Sequence, residues 1–120
     1  MTTQELLQRA QRAKRVMALA DTQTKNRALL AMADALEREQ REILAANALD
    51  LGAAQGSISN VMLDRLALSP QRLAGMAQGI REVAALPDPV GEVLQHVERP
   101  NGMIIERRAV PMGVIAIIYE

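Results

Sequence analysis

The 120-residue sequence contains no cysteine, phenylalanine or tryptophan, and it has a single tyrosine. Without cysteine the chain has neither disulfides nor thiolate metal ligands, which fits a reducing compartment. The near absence of aromatic rings argues against recognition of nucleic-acid bases by stacking. A core must therefore be filled by Leu, Ile, Val, Ala and Met, as is typical of packed helices.

The sequence also lacks a net charge, because 14 basic residues balance 14 acidic ones. No overall field therefore attracts nucleic acid or an anionic membrane surface. No apolar run approaches the roughly 18 residues of a membrane span, and the N-terminus lacks the apolar centre of a secretory signal. The sequence predicts a cytoplasmic protein, and its 49% hydrophobic residues are enough for a core.

The first predicted helix covers about residues 4–20, where apolar residues recur at spacings of three and four. Its other positions are rich in arginine, as in mitochondrial presequences. Serine is scarce, however, and Glu5 interrupts the basic pattern. A helix docked on the protein surface is the favoured interpretation.

Three further helices are predicted over about residues 22–51, 61–66 and 70–85. Asp21 or Thr22 can cap the first of them, and Gly52 and Gly56 are expected to end it. The charge run over 37–42 is interpreted as a solvated face held by pairs three and four apart. Ser69 and Pro70 are a strong helix start.

Within the last of these helices, Gly75 and Gly79 lie four residues apart. In this charged, soluble context the pair is expected to allow the close approach of another backbone.

A β-hairpin is predicted over about residues 91–110, because the apolar period changes from near 3.6 to 2 after the prolines at 87 and 89. Val93, Gln95 and Val97 should share one face. Asn101-Gly102 predicts a tight turn, since both residues tolerate positive φ.

The hairpin offers two candidate functional features, and neither is expected to act as a site. His96 is interpreted as an exposed or half-exposed strand residue, and the lack of a cysteine or a neighbouring carboxylate cluster argues against a metal-binding role. Arg107 and Arg108 should point to opposite faces, which argues against a shared phosphate clamp.

The unbroken apolar run 114–119 predicts a strand over 113–119 that is buried on both faces. Such a strand needs neighbours on both sides and helices over both faces of the sheet. We therefore interpret these residues as the opening section of a larger α/β protein.

Three stretches carry a family resemblance. They are residues 62–66 (Met-Leu-Asp-Arg-Leu) with 69–73 (Ser-Pro-Gln-Arg-Leu), residues 86–92 (Leu-Pro-Asp-Pro-Val-Gly-Glu), and residues 99–103 (Arg-Pro-Asn-Gly-Met) with 107–120. In this order and at these separations, the sequence resembles the N-terminal part of the γ-glutamyl phosphate reductase family, in the aldehyde dehydrogenase superfamily. The resemblance spans the whole chain.

The resemblance implies an α/β, aldehyde-dehydrogenase-like fold, of which the chain holds the N-terminal part of the NADP-binding domain: the helices, the hairpin and the first sheet strand, without the catalytic domain. It also implies reduction of L-glutamyl 5-phosphate to L-glutamate 5-semialdehyde with NADPH, in proline biosynthesis. Family members use a cysteine thiolate as nucleophile, so this chain alone should be inactive.

The resemblance further implies that Ile118, Tyr119 and Glu120 approach the cofactor, because ligands of open α/β sheets gather at strand C-termini. The same residues can equally serve only to finish a core strand. No residue is assigned a catalytic or metal-binding role. The hairpin resembles a projecting element used in subunit association, which implies a homo-oligomer.

The alternative interpretation is a non-catalytic helical interaction module, whose C-terminal strand adds to the sheet edge of a partner. A further alternative is a natural truncation of the enzyme that has lost its activity. The sequence does not distinguish this alternative from the N-terminal part of an active enzyme.

Overall fold

The computed structural model describes residues 2–118, which divide into two compact units. One unit comprises residues 23–86, and the other joins residues 1–22 with residues 87–120. The described helices are α1 (Thr3–Ala18), α2 (Thr22–Arg38), α3 (Gln40–Ala54), α4 (Asn60–Leu66) and α5 (Pro70–Ala85), and the strands are β1 (Val93–Glu98) and β2 (Ile104–Arg108). Across residues 2–118, no helix combines the length and the apolar content that crossing a membrane requires.

Hydroxyl caps define where three of the helices begin. Thr2 and Glu5 form a capping box at α1, in which each side chain accepts from the other residue's backbone N–H. Ser59 caps α4, and Ser69 Oγ accepts from the backbone N–H of Arg72 at the start of α5. The predicted start at Ser69-Pro70 and the helix 70–85 are therefore confirmed.

The single helix predicted over 22–51 is wrong in detail, because two helices occupy this region. Glu39 leaves the helical backbone, with φ −90° and ψ 12°, and separates α2 from α3. No Pro or Gly lies near this break, so the sequence carries no signal for it. Gly52 lies inside α3 instead of ending it, whereas Gly56, at φ 82°, follows the helix end as expected.

The helical unit has a small core made largely of alanine. Leu73 and Ala77 on α5 are at most 1% exposed, and Ala33 on α2 is fully buried. Met76 and Val83, which share the predicted apolar stripe of α5 with Leu73, are about half exposed. The buried face of α5 thus runs along Leu73, Ala77 and Ala84, and only the first of these lies on the predicted apolar stripe.

Asn47 joins α3 to the connection between α4 and α5. Its side-chain Nδ2 donates to the Leu66 carbonyl at 2.9 Å, and its Oδ1 accepts from the Leu68 backbone N–H at 2.8 Å. The residue is only 8% exposed. One amide therefore satisfies a donor and an acceptor of a loop that has no regular structure of its own.

Arg81 on α5 forms the main long-range ion pairs of the helical unit. Its guanidinium donates to both carboxylate oxygens of Glu37, each at 2.8 Å, and to Asp34 Oδ1 at 2.9 Å. The charge run over 37–42 is mostly exposed, as predicted, but the partner that holds Glu37 is Arg81, 44 positions away, and not a residue three or four positions along the chain. Hydrogen bonding to Arg81 lowers the pKa of Glu37, and the two carboxylates raise the pKa of Arg81.

The expected close approach at Gly75 and Gly79 is not found among the described residues. A Cβ placed on either glycine would meet no atom within 4 Å outside its own helix. This part of α5 is therefore open.

The two strands form an antiparallel ribbon, as predicted, with His96 opposite Glu106 and Val97 opposite Ile105. A register shift between Val93 and Gln95 places an extra residue, Leu94, on β1. The strict alternation predicted for β1 is therefore interrupted at this bulge and is regular only from Gln95 onward.

The turn of the ribbon differs from the predicted Asn-Gly geometry. The Gly102 N–H donates to the Arg99 carbonyl at 2.9 Å, which makes Pro100 and Asn101 the two central residues. Within the turn, Gly102 has a positive φ of 80°. Pro100 and Asn101 do not, since every residue with positive φ among residues 2–118 is a glycine. Proline favours the first central position of a type I turn, and the glycine that follows supplies the left-handed residue of a three-residue loop.

We predict that Asn47→Ala lowers the free energy of unfolding by about 2 kcal/mol, because it removes two part-buried hydrogen bonds to the backbone of the 66–68 connection. Urea unfolding followed by circular dichroism measures the change. The matched control is Asn60→Ala, at an exposed position of α4, which should change stability by less than about 0.5 kcal/mol. Equal effects of the two changes would contradict the anchoring role.

We also predict that Arg81→Gln raises the pKa of Glu37 toward its ordinary value, because it removes the hydrogen bonds that lower it. A carboxyl with a lowered pKa in the folded state stabilises the fold above its unfolded pKa of about 4.3. That contribution is lost as pH falls through the folded pKa. An NMR titration of the carboxyl carbon measures both values. Arg65→Gln on α4 is the control, and an unchanged Glu37 pKa in Arg81→Gln would refute the assignment.

Candidate functional site

The first of the three stretches that carry the family resemblance forms an ion pair between α4 and the start of α5. The Arg72 guanidinium donates to both carboxylate oxygens of Asp64, at 3.1 and 3.2 Å. It also donates to the carbonyls of Asp64 and Ala67. These bonds satisfy carbonyls at the end of α4, so the stretch has a structural role in the described chain.

The second stretch shapes the entry to the ribbon. Asp88 accepts from the Val90 backbone N–H at 3.1 Å and from the Thr22 hydroxyl at 2.8 Å. Gly91 has φ 88°, and its N–H donates to the Ala109 carbonyl at 2.9 Å. This glycine therefore takes a backbone conformation that other residues rarely adopt, and its hydrogen bond extends the ribbon beyond the two strands.

One face of the ribbon carries a charged cluster, which we call the ribbon cluster: His96, Glu98, Glu106 and Arg108. His96 Nδ1 lies 3.1 Å from Glu106, and its Nε2 lies 3.6 Å from Glu98. Hydrogen bonding from Arg108, and secondly from His96, lowers the pKa of Glu106. His96 is exposed, as predicted. Among the described residues, no group of three or more His, Cys, Asp or Glu has a geometry able to hold a metal ion.

The third stretch continues past the ribbon and lies beside α1. A groove of about 400 Å³ is lined by α1 and by the segment at 111–115. Gly113 has φ 98°, and a Cβ at this position would lie 2.8 Å from Lys14 Cε. The backbone conformation therefore favours glycine here, whereas the flexible end of the Lys14 side chain could move away from a Cβ.

The sheet strand predicted over 113–119 is not formed in the described residues. Residues 109–118 belong to neither a helix nor a strand, since β1 and β2, the two described strands, pair with each other. A strand cannot exist without a neighbour for its N–H and C=O groups. The side chains of this segment are exposed instead, including Met112 at 86% and Ile117 at 75%.

The predicted cofactor residues lie at the end of this segment. Ile118 is 99% exposed and is not among the residues that line the groove beside α1. Tyr119 and Glu120 lie outside the described residues. The assignment of these three residues to a cofactor site stays a prediction.

The long-range interactions of the helical unit are not predicted by the sequence, whether or not their residues lie in the three stretches. Asn47, and the pairs formed by Asp64 with Arg72 and by Glu37 with Arg81, join residues between 8 and 44 positions apart. For Asp64 and Arg72, the sequence signal was the motif itself. For Asn47, the only signal was a polar residue within the apolar part of α3.

We predict that Gly113→Ala lowers the free energy of unfolding by about 1 kcal/mol, because alanine is strained at positive φ. Gly75→Ala is the matched control, since its position is helical and open, and it should raise stability by about 0.5 kcal/mol. Urea unfolding measures both changes. If Gly113→Ala left the free energy of unfolding unchanged, the left-handed conformation at this position would not be required.

Comparison with known proteins gives a consistent result, although no protein-family model matches the chain. All 120 residues align at 54% identity with γ-glutamyl phosphate reductase of Streptococcus pneumoniae (strain Hungary19A-6), of which the chain spans 29%. The crystal structure of γ-glutamyl phosphate reductase from Thermotoga maritima matches with a TM-score of 0.84 and 35% identity, over 87% of this chain and 25% of that one. The enzyme from Saccharomyces cerevisiae matches with a TM-score of 0.82 and 28% identity, over 92% of this chain and 29% of that one.

The chain thus spans about three tenths of the length of the curated relatives that it matches. The α/β fold class expected from the sequence is confirmed by the two structural matches. The resemblance found in the three stretches is confirmed as well: this chain is related, over its whole length, to the N-terminal part of γ-glutamyl phosphate reductases.

Proposed function

We propose that the chain supplies the N-terminal part of an enzyme that reduces L-glutamyl 5-phosphate to L-glutamate 5-semialdehyde with NADPH and releases phosphate, in proline biosynthesis. The observation that carries the proposal is the 54% identity over all 120 residues with a protein named for the reductase activity. The two structural matches above 0.8 in TM-score support it independently.

The contribution of this chain to that reaction is structural. A thiolate that attacks the acyl phosphate is the expected nucleophile, and the sequence has no cysteine. The nucleophile would therefore come from the part of the enzyme that the matched region does not include. When bound, the nicotinamide would supply the hydride.

The residues of this chain that would approach the cofactor are Ile118, Tyr119 and Glu120. In this proposal the segment 113–119 becomes a strand when neighbouring strands pair with it, and its C-terminal end then faces the cofactor crevice. The exposure of Ile117 and Ile118 in the present chain supports this, because both side chains are available for burial under helices.

The ribbon would serve subunit association, and the assembled enzyme would be a cytoplasmic homo-oligomer. Support comes from the exposed apolar residues of the ribbon, which include Leu94 at 51% and Ile104 at 59%. A strand edge and apolar side chains at the same place are typical of surfaces that pair with another chain.

The alternative function is a binding module without catalysis. The observation that favours it is the same unpaired segment, which could add as a strand to the sheet edge of a partner. The two functions differ in what the segment pairs with, namely the rest of an enzyme or a separate protein.

The test is a chimeric enzyme. We expect that replacing the matched N-terminal region of the Streptococcus pneumoniae reductase by this chain restores growth without proline to a bacterial strain that lacks its own reductase. The purified chimera should oxidise glutamate 5-semialdehyde in the presence of phosphate and NADP. Because the replaced region shares 54% identity with this chain, its packing surfaces should be compatible.

Two controls define the result. This chain alone and the reductase without its N-terminal region should both fail to restore growth. A soluble chimera that has no activity, while the intact reductase is active in the same strain, would contradict the proposal. Activity of the 120-residue chain by itself would contradict the assignment of the nucleophile to another region.

A further inference from the structure

The turn of the ribbon places a reactive amide next to a residue without a side chain. Asn101 and Gly102 are both exposed, and the Asn101 Oδ1 accepts from the Met103 backbone N–H at 3.2 Å. Glycine leaves its own backbone nitrogen unshielded on the side that faces the preceding side chain. The Asn101 side-chain carbon is therefore within reach of an unhindered intramolecular nucleophile.

We propose that Asn101 is a site of spontaneous deamidation in the folded chain. The Gly102 nitrogen loses its proton to hydroxide and bonds to Asn101 Cγ. The bond from Cγ to Nδ2 then breaks as Nδ2 takes a proton from water, which releases ammonia and regenerates hydroxide. Water then opens the resulting five-membered imide ring at either carbonyl. The products are aspartate, or isoaspartate in which the backbone runs through the side-chain carbon. No oxidant or reductant is needed, and the only co-reactant is water.

The hydrogen bond from Met103 favours the first step. Attack on Cγ moves negative charge onto Oδ1, and the Met103 N–H already donates to that oxygen. A backbone donor fixed beside an oxygen that gains charge lowers the barrier in the same way as one arm of an oxyanion hole. The turn thus holds the electrophile in a polarised state.

A second hydrogen bond opposes the reaction. The Gly102 N–H donates to the Arg99 carbonyl at 2.9 Å, and this bond must open before the nitrogen can lose its proton. The bond lies at the exposed tip of a two-stranded ribbon, and ribbons of this size have little stability of their own. Local opening there costs far less than global unfolding, so the folded chain should react.

The consequence falls on the ribbon itself. Either product places a new carboxylate at the turn that includes Arg99. Isoaspartate also lengthens the backbone by one carbon inside the turn that the Gly102 N–H closes on the Arg99 carbonyl, and this stretches that hydrogen bond. We expect the register of β1 with β2 to be perturbed from this end. The inference rests on the turn alone and does not depend on the proposed function.

The chain contains its own controls. Its three other asparagines, Asn26, Asn47 and Asn60, lie in helices and precede arginine, alanine and valine. Helical backbone and a following side chain both hinder attack by the next nitrogen. Cleavage after arginine or lysine, except before proline, releases residues 82–107 as one peptide, in which Asn101 is the single asparagine.

The experiment incubates the folded 120-residue chain at pH 6, 7 and 8 and follows peptide 82–107 by mass spectrometry. We expect a gain of about 1 Da at Asn101, because an amide becomes an acid. The rate should rise with pH, since the nucleophile is the deprotonated nitrogen. Gly102→Ala should slow the gain, and an enzyme that methylates isoaspartate should label the product.

A parallel sample in urea separates reaction of the fold from reaction of unfolded chains. A gain at Asn101 in the folded chain that precedes any gain at the other three asparagines supports the proposal. A gain that occurs in urea but not in the folded chain would overturn it, because the turn would then protect Asn101. Equal rates at all four asparagines in the folded chain would overturn it as well.

Discussion

The demand of backbone N–H and C=O groups for hydrogen-bond partners governs this chain along its length. Helices satisfy that demand internally except at their ends, where Thr2, Ser59 and Ser69 supply the missing acceptors. The connection after α4 has no regular structure, and Asn47 meets its needs with one side chain. The two strands of the ribbon satisfy each other.

Within the described residues, the backbone N–H and C=O groups of the segment after the ribbon are not paired in a helix or a sheet. Residues 109–118 carry apolar side chains suited to a buried strand, yet these side chains are exposed, as Met112 and Ile118 show. The fully buried residues of the helical unit are also few and small. In the enzyme proposed above, strands and helices outside this chain would cover these surfaces.

Local sequence signals predicted those elements that depend on local chemistry. The start of α5 follows from Ser69-Pro70, and the ribbon follows from the change of period after residue 89. The break at Glu39 escaped prediction because neither glycine nor proline marks it. The bulge at Leu94 escaped because it depends on how two strands pair, and the turn geometry was wrong because Pro100 outweighs the preference of Asn101 for positive φ.

The candidate site shows the same division. The three motif stretches identified the family without any structure, because their residue types and spacings carry the information. Only the tertiary structure shows which residues these stretches contact. Arg72 donates to Asp64, and Asp88 accepts a hydrogen bond from the Thr22 hydroxyl, 66 positions away in the sequence. The prediction for Ile118, Tyr119 and Glu120 concerns a strand end, and a strand end has a defined position only when the strand has neighbours.

The sequence by itself thus determined the start of α5, the existence of the ribbon, the family and the lack of a thiol nucleophile, since each depends on residue identity and short-range spacing. Tertiary structure alone decided that Arg81 binds Glu37 and Asp34, that Asn47 is buried, and that α5 buries Leu73, Ala77 and Ala84. The physical reason is that an ion pair or a buried amide needs a partner brought near by folding. Periodicity along one segment states which side chains share a face, but not what that face meets.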